Sequence, residues 1–327
     1  MDFEDTDSTH PKHAQIKYLS AQFQLHPLLI QHLFNQGFSD FEKLDSFIYP
    51  KLTNMYDPFL MNEMKAAVTR ILQAIQQSEH IHIFGDYDCD GITASSILYL
   101  SLKELGANVT TQLPLRSEGY GLSVNAVKQL HEDVSLVITV DNGSSAHDAL
   151  RTAKERGIDV IVTDHHEVLD DRPDCLVFIN PKRKDNTYPF TELCGAGVAL
   201  KLVQAIYKTL NRDWIRGTEP LLDMATLGTI ADMVPLKDEN RILCYNGLRK
   251  LQHSPRRVFR VLLDTLKTKN IDSSTIGFSV GPIFNACGRI GDPNLAATIL
   301  QSTEPTEKQI KELISLNEKR KENSGAI

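Results

Sequence analysis

The chain has 327 residues, enough for about two domains, and its 41% hydrophobic and 24% charged residues exclude disorder along the whole length. The formal net charge is −7, so the chain lacks the excess of basic residues with which proteins usually bind long nucleic acids. An acid-rich chain can still act on phosphates if its acids cluster to hold metal ions. Five cysteines without a CxxC pair exclude a disulfide scaffold, and no apolar run reaches the about 18 residues of a membrane span.

The first 80 residues predict a helical lead-in. Apolar residues recur at spacings of three and four over 21–34 and 64–75, which predicts two helices. Asp57 and Pro58 separate the two stretches. No residue in this segment points to chemistry.

From residue 81 onward, short apolar strands alternate with helices. The predicted strands are 81–85, 108–114, 135–140, 159–163 and 176–180, and the predicted helices between them are 92–105, 123–131 and 146–156. This alternation is typical of βαβ units, so the sequence predicts an α/β fold with a parallel sheet flanked by helices.

After a polar stretch at 182–191 the chain becomes mainly helical. Helices are predicted over 197–210, 219–231, 240–251 and 255–266, and a final amphipathic helix over 308–321. Because glycine and proline punctuate 278–291, that stretch is predicted to be irregular.

Acids and histidines follow three of the predicted strands. They are Asp86, Asp88 and Asp90 in GDYDCDG, Asp141 in VDNGSS, and Asp164, His165 and His166 in TDHH. Parallel strands share one carboxyl edge, so these side chains should converge there. Crowded carboxylates are unfavourable unless a cation holds them, and carboxylates with imidazoles suit Mn²⁺ or Mg²⁺ better than a structural zinc. The pattern predicts a two-metal site that acts on phosphates.

Each of these features has a plainer interpretation when it is taken alone. GDYDCDG also matches the opening of an EF-hand loop, but that loop needs a glutamate where this chain has Ile97, and it follows a helix. A single aspartate after a strand is usually a helix cap or a turn former. The GAG at 195–197 lacks the spacing of a dinucleotide-binding loop. The occurrence of acids after three strands favours the metal site.

In this order and context, GDYDCDG, VDNGSS and TDHH resemble the motifs of the DHH phosphoesterase superfamily. The resemblance is strongest to its single-strand-specific 5′→3′ DNA exonucleases. It extends over nearly the whole chain, through MYDPFLMNEMKAAVTRI (55–71), LPLRSEGYGL (113–122), LCGAGVALKL (193–202), LGTIADMVPL (227–236) and FNACGRIGDP (284–293).

The resemblance implies roles for particular residues. The implied ligands of two Mn²⁺ or Mg²⁺ ions are Asp86, Asp88, Asp90, Asp141, His165 and Asp232. Asp141, His165 and His166 would be catalytic, with His166 facing the scissile phosphate, and Asp164 would orient an imidazole. The candidate phosphate and nucleic-acid ligands are Arg116, His166, Asn285 and Arg289. Gly195 and Gly197 would allow close backbone approach.

The resemblance also implies metal-dependent phosphodiester hydrolysis of single-stranded DNA in repair and recombination. A helicase and a single-strand-binding protein are candidate partners, and a monomer is expected. Two alternatives stay open: a phosphodiesterase for short oligonucleotides or cyclic dinucleotides, and a non-catalytic scaffold of the same fold. A long single strand preferred over a dinucleotide would favour the exonuclease, and metal-dependent turnover would exclude the scaffold.

The expected organisation is a helical lead-in at 1–80, a DHH phosphoesterase catalytic domain at 81–303 and a connecting helix at 304–327. Family members carry further DHHA1 and OB domains after that helix, and we expect them to be absent here. Acids at positions 2, 4, 5 and 7 are the wrong charge for a targeting peptide. With the scattered cysteines, they predict a cytoplasmic protein.

Overall fold

The structure is a computed structural model that describes residues 11–168, 172–268 and 270–325. The N-terminal acids lie outside these residues, as do the last two positions of the predicted connecting helix. The chain divides into two compact units, the first ending at Asn54 and the second beginning at Met55. The domain limits predicted at residues 80 and 303 stay predictions.

The elements follow one another in this order. The strands are β1 (His80–Phe84), β2 (Asn108–Gln112), β3 (Val134–Val140), β4 (Asp159–Thr163) and β5 (Val177–Ile179). The helices up to the end of the sheet are α1 (Pro11–Phe23), α2 (Pro27–Asn35), α3 (Phe41–Ile48), α4 (Met64–Gln76), α5 (Cys89–Glu104), α6 (Val124–Gln129) and α7 (His147–Glu155). The later helices are α8 (Gly195–Thr209), α9 (Trp214–Thr218), α10 (Leu222–Ala231), α11 (Asp238–Gln252), α12 (Arg257–Thr265), α13 (Ser273–Thr275), α14 (Gly281–Ile290), α15 (Pro293–Gln301) and α16 (Glu307–Gly325).

In the first unit, α1 to α3 pack around a small apolar core formed by Ile16, Leu19, Phe23, Ile30, Leu33 and Leu44. The prediction of one helix over 21–34 is wrong, because α1 ends at Phe23 and α2 begins at Pro27. The proline ring disfavours helical backbone at the residue before it, and His26 is extended there. The helix α3 was not predicted, and Asp40 caps it by accepting from the Lys43 N–H at 2.9 Å.

The second unit contains a five-stranded parallel sheet in the order β2-β1-β3-β4-β5. Four of its strands are short, largely apolar runs that are almost fully buried, as expected when helices cover both sides, whereas the edge strand β2 is polar and partly exposed. One face packs against α6 and α7 through residues such as Val127, Leu150, Val137 and Phe178. The other face packs against α4, α5 and α8. The predicted α/β fold with a parallel sheet flanked by helices is therefore confirmed.

The strand order creates a crevice between β1 and β3. The chain leaves β1 to pair β2 on one side and later places β3 on the other side of β1. At such a reversal the loops after the two strands diverge, and ligands of open parallel sheets bind there. Asp86 lies two residues beyond β1, and Asp141 directly follows β3. The topology therefore brings the two predicted acids to the same crevice.

The part after the sheet is mainly helical, but the prediction of an irregular stretch at 278–291 is wrong. A π-helical turn, Ile276–Val280, leads directly into α14. Pro282 lies in the first turn of α14, directly after the π-helical turn. Gly288 marks close packing, since a Cβ there would lie 2.0 Å from the carbonyl oxygen of Tyr87. The helices α9 and α15 were not predicted.

Among the described residues, no helix is both long enough and apolar enough to cross a membrane. All five cysteines are free thiols.

Candidate metal centre

Asp86 lies buried at the mouth of the crevice. Its Oδ1 atom has no hydrogen-bond partner among the described residues. Burial, together with the neighbouring Asp88 carboxylate, raises the pKa of Asp86 to about 7. Gly91 allows the start of α5 to lie close to the backbone of Asp86, because a Cβ at Gly91 would lie 2.4 Å from the Asp86 carbonyl oxygen. Near neutral pH, this buried carboxylate therefore needs a bound proton or a cation to stabilise it.

Asp88 and Asp90 are both held by helix N-termini. The Asp88 side chain caps α5 by accepting from the Gly91 N–H at 3.0 Å. Asp90 accepts from the Gly195 N–H at 2.6 Å and from the Ala196 N–H at 2.9 Å, at the start of the 15-residue helix α8. The N–H groups at a helix N-terminus are free to donate to a carboxylate at this position. The sequence-distant helix α8 therefore orients Asp90.

Asp141 is the central carboxylate of the cluster. It adopts a left-handed backbone with φ of +63°, which is strained for a residue with a side chain. Its buried Oδ1 has no hydrogen-bond partner among the described residues. Burial, followed by the charges of Asp90 and Asp88, raises its pKa well above the ordinary value. A Cβ on Gly195 would lie 2.5 Å from the Asp141 Cβ, so α8 can lie this close only with glycine there.

His165 joins the acids of different elements. Its Nε2 lies 2.9 Å from Asp141 Oδ1, 3.6 Å from Asp90 Oδ2 and 3.7 Å from Asp232 Oδ2. Neither ring nitrogen forms a hydrogen bond within the described residues. Burial lowers the pKa of His165, so the neutral imidazole that binds metals is favoured. Asp232 follows the last residue of α10, and burial with the Asp90 and Asp88 charges raises its pKa to about 8.

His166 lies at the surface of the cluster, and Asp164 orients it. The Asp164 carboxylate accepts from the His165 N–H at 2.7 Å and lies 2.8 Å from His166 Nδ1. Although burial acts to raise it, hydrogen bonds from His166 and Ser144 lower the pKa of Asp164 to about 2. The same bond to Asp164 raises the pKa of His166. Asp164 therefore stays ionised, orients the His166 ring, which is 46% exposed, and favours its protonated form.

The ligand atoms form three overlapping groups, each within 4.8 Å: Asp141, His165 and His166; Asp90, His165 and Asp232; Asp86, Asp88 and Asp141. Two of the groups share Asp141 and two share His165, as expected for neighbouring cations with common ligands. The unpartnered buried oxygens and imidazole nitrogens are donors that such cations would satisfy. A set rich in carboxylates with an imidazole fits Mn²⁺ or Mg²⁺.

Three of the predicted phosphate ligands, Asn285, Arg289 and Arg116, do not belong to these groups of ligand atoms. Asn285 accepts from the Cys89 N–H through Oδ1 at 2.8 Å, and so holds the loop that carries Asp86 and Asp88. Arg289 is exposed at the end of α14, and Arg116 is exposed in the short 3-10 turn Arg116–Glu118. Neither guanidinium contacts the cluster in the part of the chain that the structure describes. Their phosphate-binding roles stay predictions.

Three features of the site were not identified from the sequence. Tyr120 donates to the Asp141 carbonyl oxygen at 3.0 Å and lies 3.1 Å from His166 Nδ1. Ser144 donates its N–H to Asp164 at 3.0 Å. The first amides of α8 hold Asp90. All three features lie within motifs of the family resemblance, namely VDNGSS, LPLRSEGYGL and LCGAGVALKL. Membership of these motifs was the only sign in the sequence that could have pointed to them.

Residues 80–229 match the model of the DHH family, N-terminal domain. The single-stranded-DNA-specific exonuclease RecJ of Bacillus subtilis is 40% identical over 95% of this chain, and the chain spans 39% of that relative. A crystal structure of RecJ from Thermus thermophilus in complex with Mn²⁺ has a TM-score of 0.83 at 28% identity, over 97% of this chain and 45% of that one.

A crystal structure of exonuclease RecJ bound to manganese is 32% identical with a TM-score of 0.75, over 81% of this chain. This chain covers 68% of that structure, whereas it spans about two fifths to half of the full length of the curated relatives it matches. Identity and coverage at this level, together with the shared fold, show common descent. The chain belongs to the RecJ family of DHH proteins.

Proposed function

We propose that this chain hydrolyses phosphodiester bonds of single-stranded DNA from the 5′ end, with two Mn²⁺ or Mg²⁺ ions. The observation that carries the proposal is the convergence of carboxylates and an imidazole from β1, β3, β4 and α10 on one crevice, with buried ligand atoms left unpartnered. The names and bound metals of the RecJ relatives support the substrate and the cofactor.

The proposed ligands of the two cations are Asp86, Asp88, Asp90, Asp141, His165 and Asp232. When bound, such ions supply Lewis-acid polarisation of phosphoryl oxygens and make an attacking water more acidic. No side-chain nucleophile is required. The helix α8 holds Asp90 in place, and Asp141 is held by its strained backbone position beside Gly195.

His166 has a separate role in the proposed mechanism. Its Nδ1 lies 2.8 Å from Asp164, and its Nε2 lies 3.2 Å from the Tyr120 hydroxyl. A protonated ring in this position donates to a phosphoryl oxygen and stabilises the negative charge that develops there. Arg116 and Arg289 are proposed as further phosphate ligands, and Asn285 as a residue that supports the loop of Asp86.

Several wider roles belong to the same proposal. They are a function in DNA repair and recombination, cooperation with a helicase and a single-strand-binding protein, a monomeric state and a cytoplasmic location. The single-stranded DNA for which the relatives are named supports the first, and the free thiols agree with the last.

The test is a cleavage assay with a 3′-labelled, 5′-phosphorylated single-stranded oligonucleotide. With Mn²⁺ we expect progressive shortening from the 5′ end, and with a chelator no shortening. Asp141→Asn should abolish the reaction, whereas Asp148→Asn, an exposed aspartate on α7, should leave it unchanged. A dinucleotide cleaved faster than the long strand would replace the proposed substrate with short oligonucleotides. Equal turnover by wild type and Asp141→Asn would reject the assigned centre.

A further inference from the structure

A second cavity lies at the same edge of the sheet, beyond the metal centre. It has a volume of about 320 Å³ and lies between the ends of β1 and β2, the loop that follows β2, and α6. Its lining residues are Phe84, Gln112, Pro114, Ser117, Glu118, Ser123, Asn125, Ala126 and Gln129. None of the assigned metal ligands belongs to this lining.

The cavity and the metal centre share one wall, the loop 113–122. On one side of this loop, Tyr120 donates to the carbonyl oxygen of Asp141, and the Gly121 N–H contacts the Asp86 carboxylate. On the other side, Pro114, Ser117 and Glu118 line the cavity. Phe84 of the lining is two residues from Asp86, about 7 Å along an extended chain. A molecule with one group at the metal centre can therefore place its neighbouring group in the cavity.

The chemistry of the lining fits a neutral, planar group with mixed hydrogen-bonding edges. Amides and hydroxyls dominate it, and they both donate and accept. Asn125 and Gln129 are exposed residues of α6 whose amides line the cavity, while Phe84 and Pro114 supply apolar surface. No lysine or arginine lines the cavity within the described chain.

The single charge in the lining disfavours a phosphate. Glu118 is the only ionisable residue there, and its carboxylate accepts from the Leu115 N–H at 2.7 Å. A carboxylate repels phosphate groups. A nucleobase satisfies these demands, because it is uncharged, flat and bordered by donors and acceptors.

We infer that this cavity binds a nucleobase of the DNA strand, next to the nucleotide whose phosphate lies at the metal centre. The site deepens the proposed function, on which it rests for the identity of the strand. It would anchor the substrate through base contacts, in a chain whose net charge of −7 provides little general attraction for phosphates.

Binding of deoxyadenosine tests the cavity without any need for catalysis. The nucleoside carries no phosphate, and its dissociation constant can be measured by saturation-transfer NMR without metal. The double variant Asn125→Ala with Gln129→Ala should weaken binding at least about fivefold, as expected for the loss of one or two hydrogen bonds. Lys128→Ala, on the same helix but outside the lining, should bind as wild type does. An unchanged dissociation constant in the double variant, or no saturable binding to wild type, would overturn the inference.

Cleavage then shows whether the cavity serves the reaction. On oligonucleotides with one abasic sugar at successive positions, wild type should slow about tenfold at one position, and the double variant should show no such step. An equal step in both proteins would contradict the inference. If no oligonucleotide is cleaved with Mn²⁺ but the double variant still loses deoxyadenosine binding, the proposed function fails and the cavity stands. If cleavage occurs but wild type and the double variant bind deoxyadenosine equally, the proposed function stands and the inference about the cavity fails.

Discussion

Two clusters of buried charge in the second unit are built in opposite ways. Lys201 and Glu239 are fully buried and form an ion pair of 3.0 Å. Glu239 also accepts from the Tyr56 N–H at 2.9 Å and from the Tyr188 hydroxyl, while Lys201 donates to the Tyr56 carbonyl oxygen at 2.6 Å. At the metal centre, by contrast, Asp86, Asp141 and His165 keep buried atoms without partners.

The difference separates a structural cluster from one that is prepared for a ligand. In the Lys201 cluster, charge is neutralised and hydrogen bonds are satisfied inside the protein, so nothing further is required. At the metal centre the acids repel one another, and the pKa values of Asp86 and Asp232 are raised to about 7 and about 8. Both clusters are buried, so burial does not distinguish them. They differ in whether buried polar atoms lack hydrogen-bond partners.

The largest effect is expected from Asp141→Asn. The amide keeps the shape of the carboxylate but not its charge, so turnover with Mn²⁺ should fall about 10³-fold, which corresponds to about 4 kcal/mol. Because one repelling charge is removed, the metal-free variant should unfold at the same temperature as wild type or higher. Steady-state cleavage and thermal melts in chelator check the two parts. A variant that melts clearly lower would show that Asp141 stabilises the fold.

Glu239→Gln should have the opposite pattern. It leaves the Lys201 ammonium buried without a counter-charge, so the free energy of unfolding should fall by about 3–5 kcal/mol. The matched control is Glu219→Gln, which breaks the partly exposed pair with Lys250 and should cost about 1 kcal/mol or less. Urea titrations of both variants give the comparison. Equal losses would mean that burial of the Lys201 pair contributes nothing.

Metal binding should stabilise one cluster and not the other. At 100 times its dissociation constant, Mn²⁺ should raise the free energy of unfolding by about 2.7 kcal/mol for each independent site. The gain should be lost in Asp141→Asn and kept in Glu219→Gln, and a chelator should reverse it. Calorimetric melting temperatures measured over a Mn²⁺ series test this. The same gain in Asp141→Asn would place the ion elsewhere.

A smaller effect is expected from Gly195→Ala. The added Cβ would lie 2.5 Å from the Asp141 Cβ, so α8 or Asp141 must shift by a fraction of an ångström. Mn²⁺ affinity should then fall about tenfold, as when groups that orient metal ligands are lost. Gly277→Ala is the control, because a Cβ there meets only Ile230 Cγ2 at 3.7 Å. Titration calorimetry with Mn²⁺ separates the two, and equal affinities would exclude a positioning role for Gly195.

Local pattern in the sequence was enough to predict the sheet and its acids. Most of the strands are largely apolar runs, and acids or histidines closely follow β1, β3 and β4, so one rule about parallel sheets brings Asp86, Asp141 and His165 together. Asp232 was reached only through family resemblance, since an aspartate at a helix end has no distinctive local pattern. The error at 278–291 arose because glycine and proline are read as breakers, whereas here Pro282 starts α14 and Gly288 packs on Tyr87.

What the tertiary structure alone decided is how those residues are held. The amides of α8 lie more than 100 positions from Asp90 in the chain, and the hydroxyl of Tyr120 lies 21 positions from the carbonyl that it contacts. The same is true of the cavity beside α6 and of the partners that complete the Lys201 cluster. Strand and helix signals are local because they depend on periodicity, but the partners of a buried charge depend on which distant backbone arrives next to it.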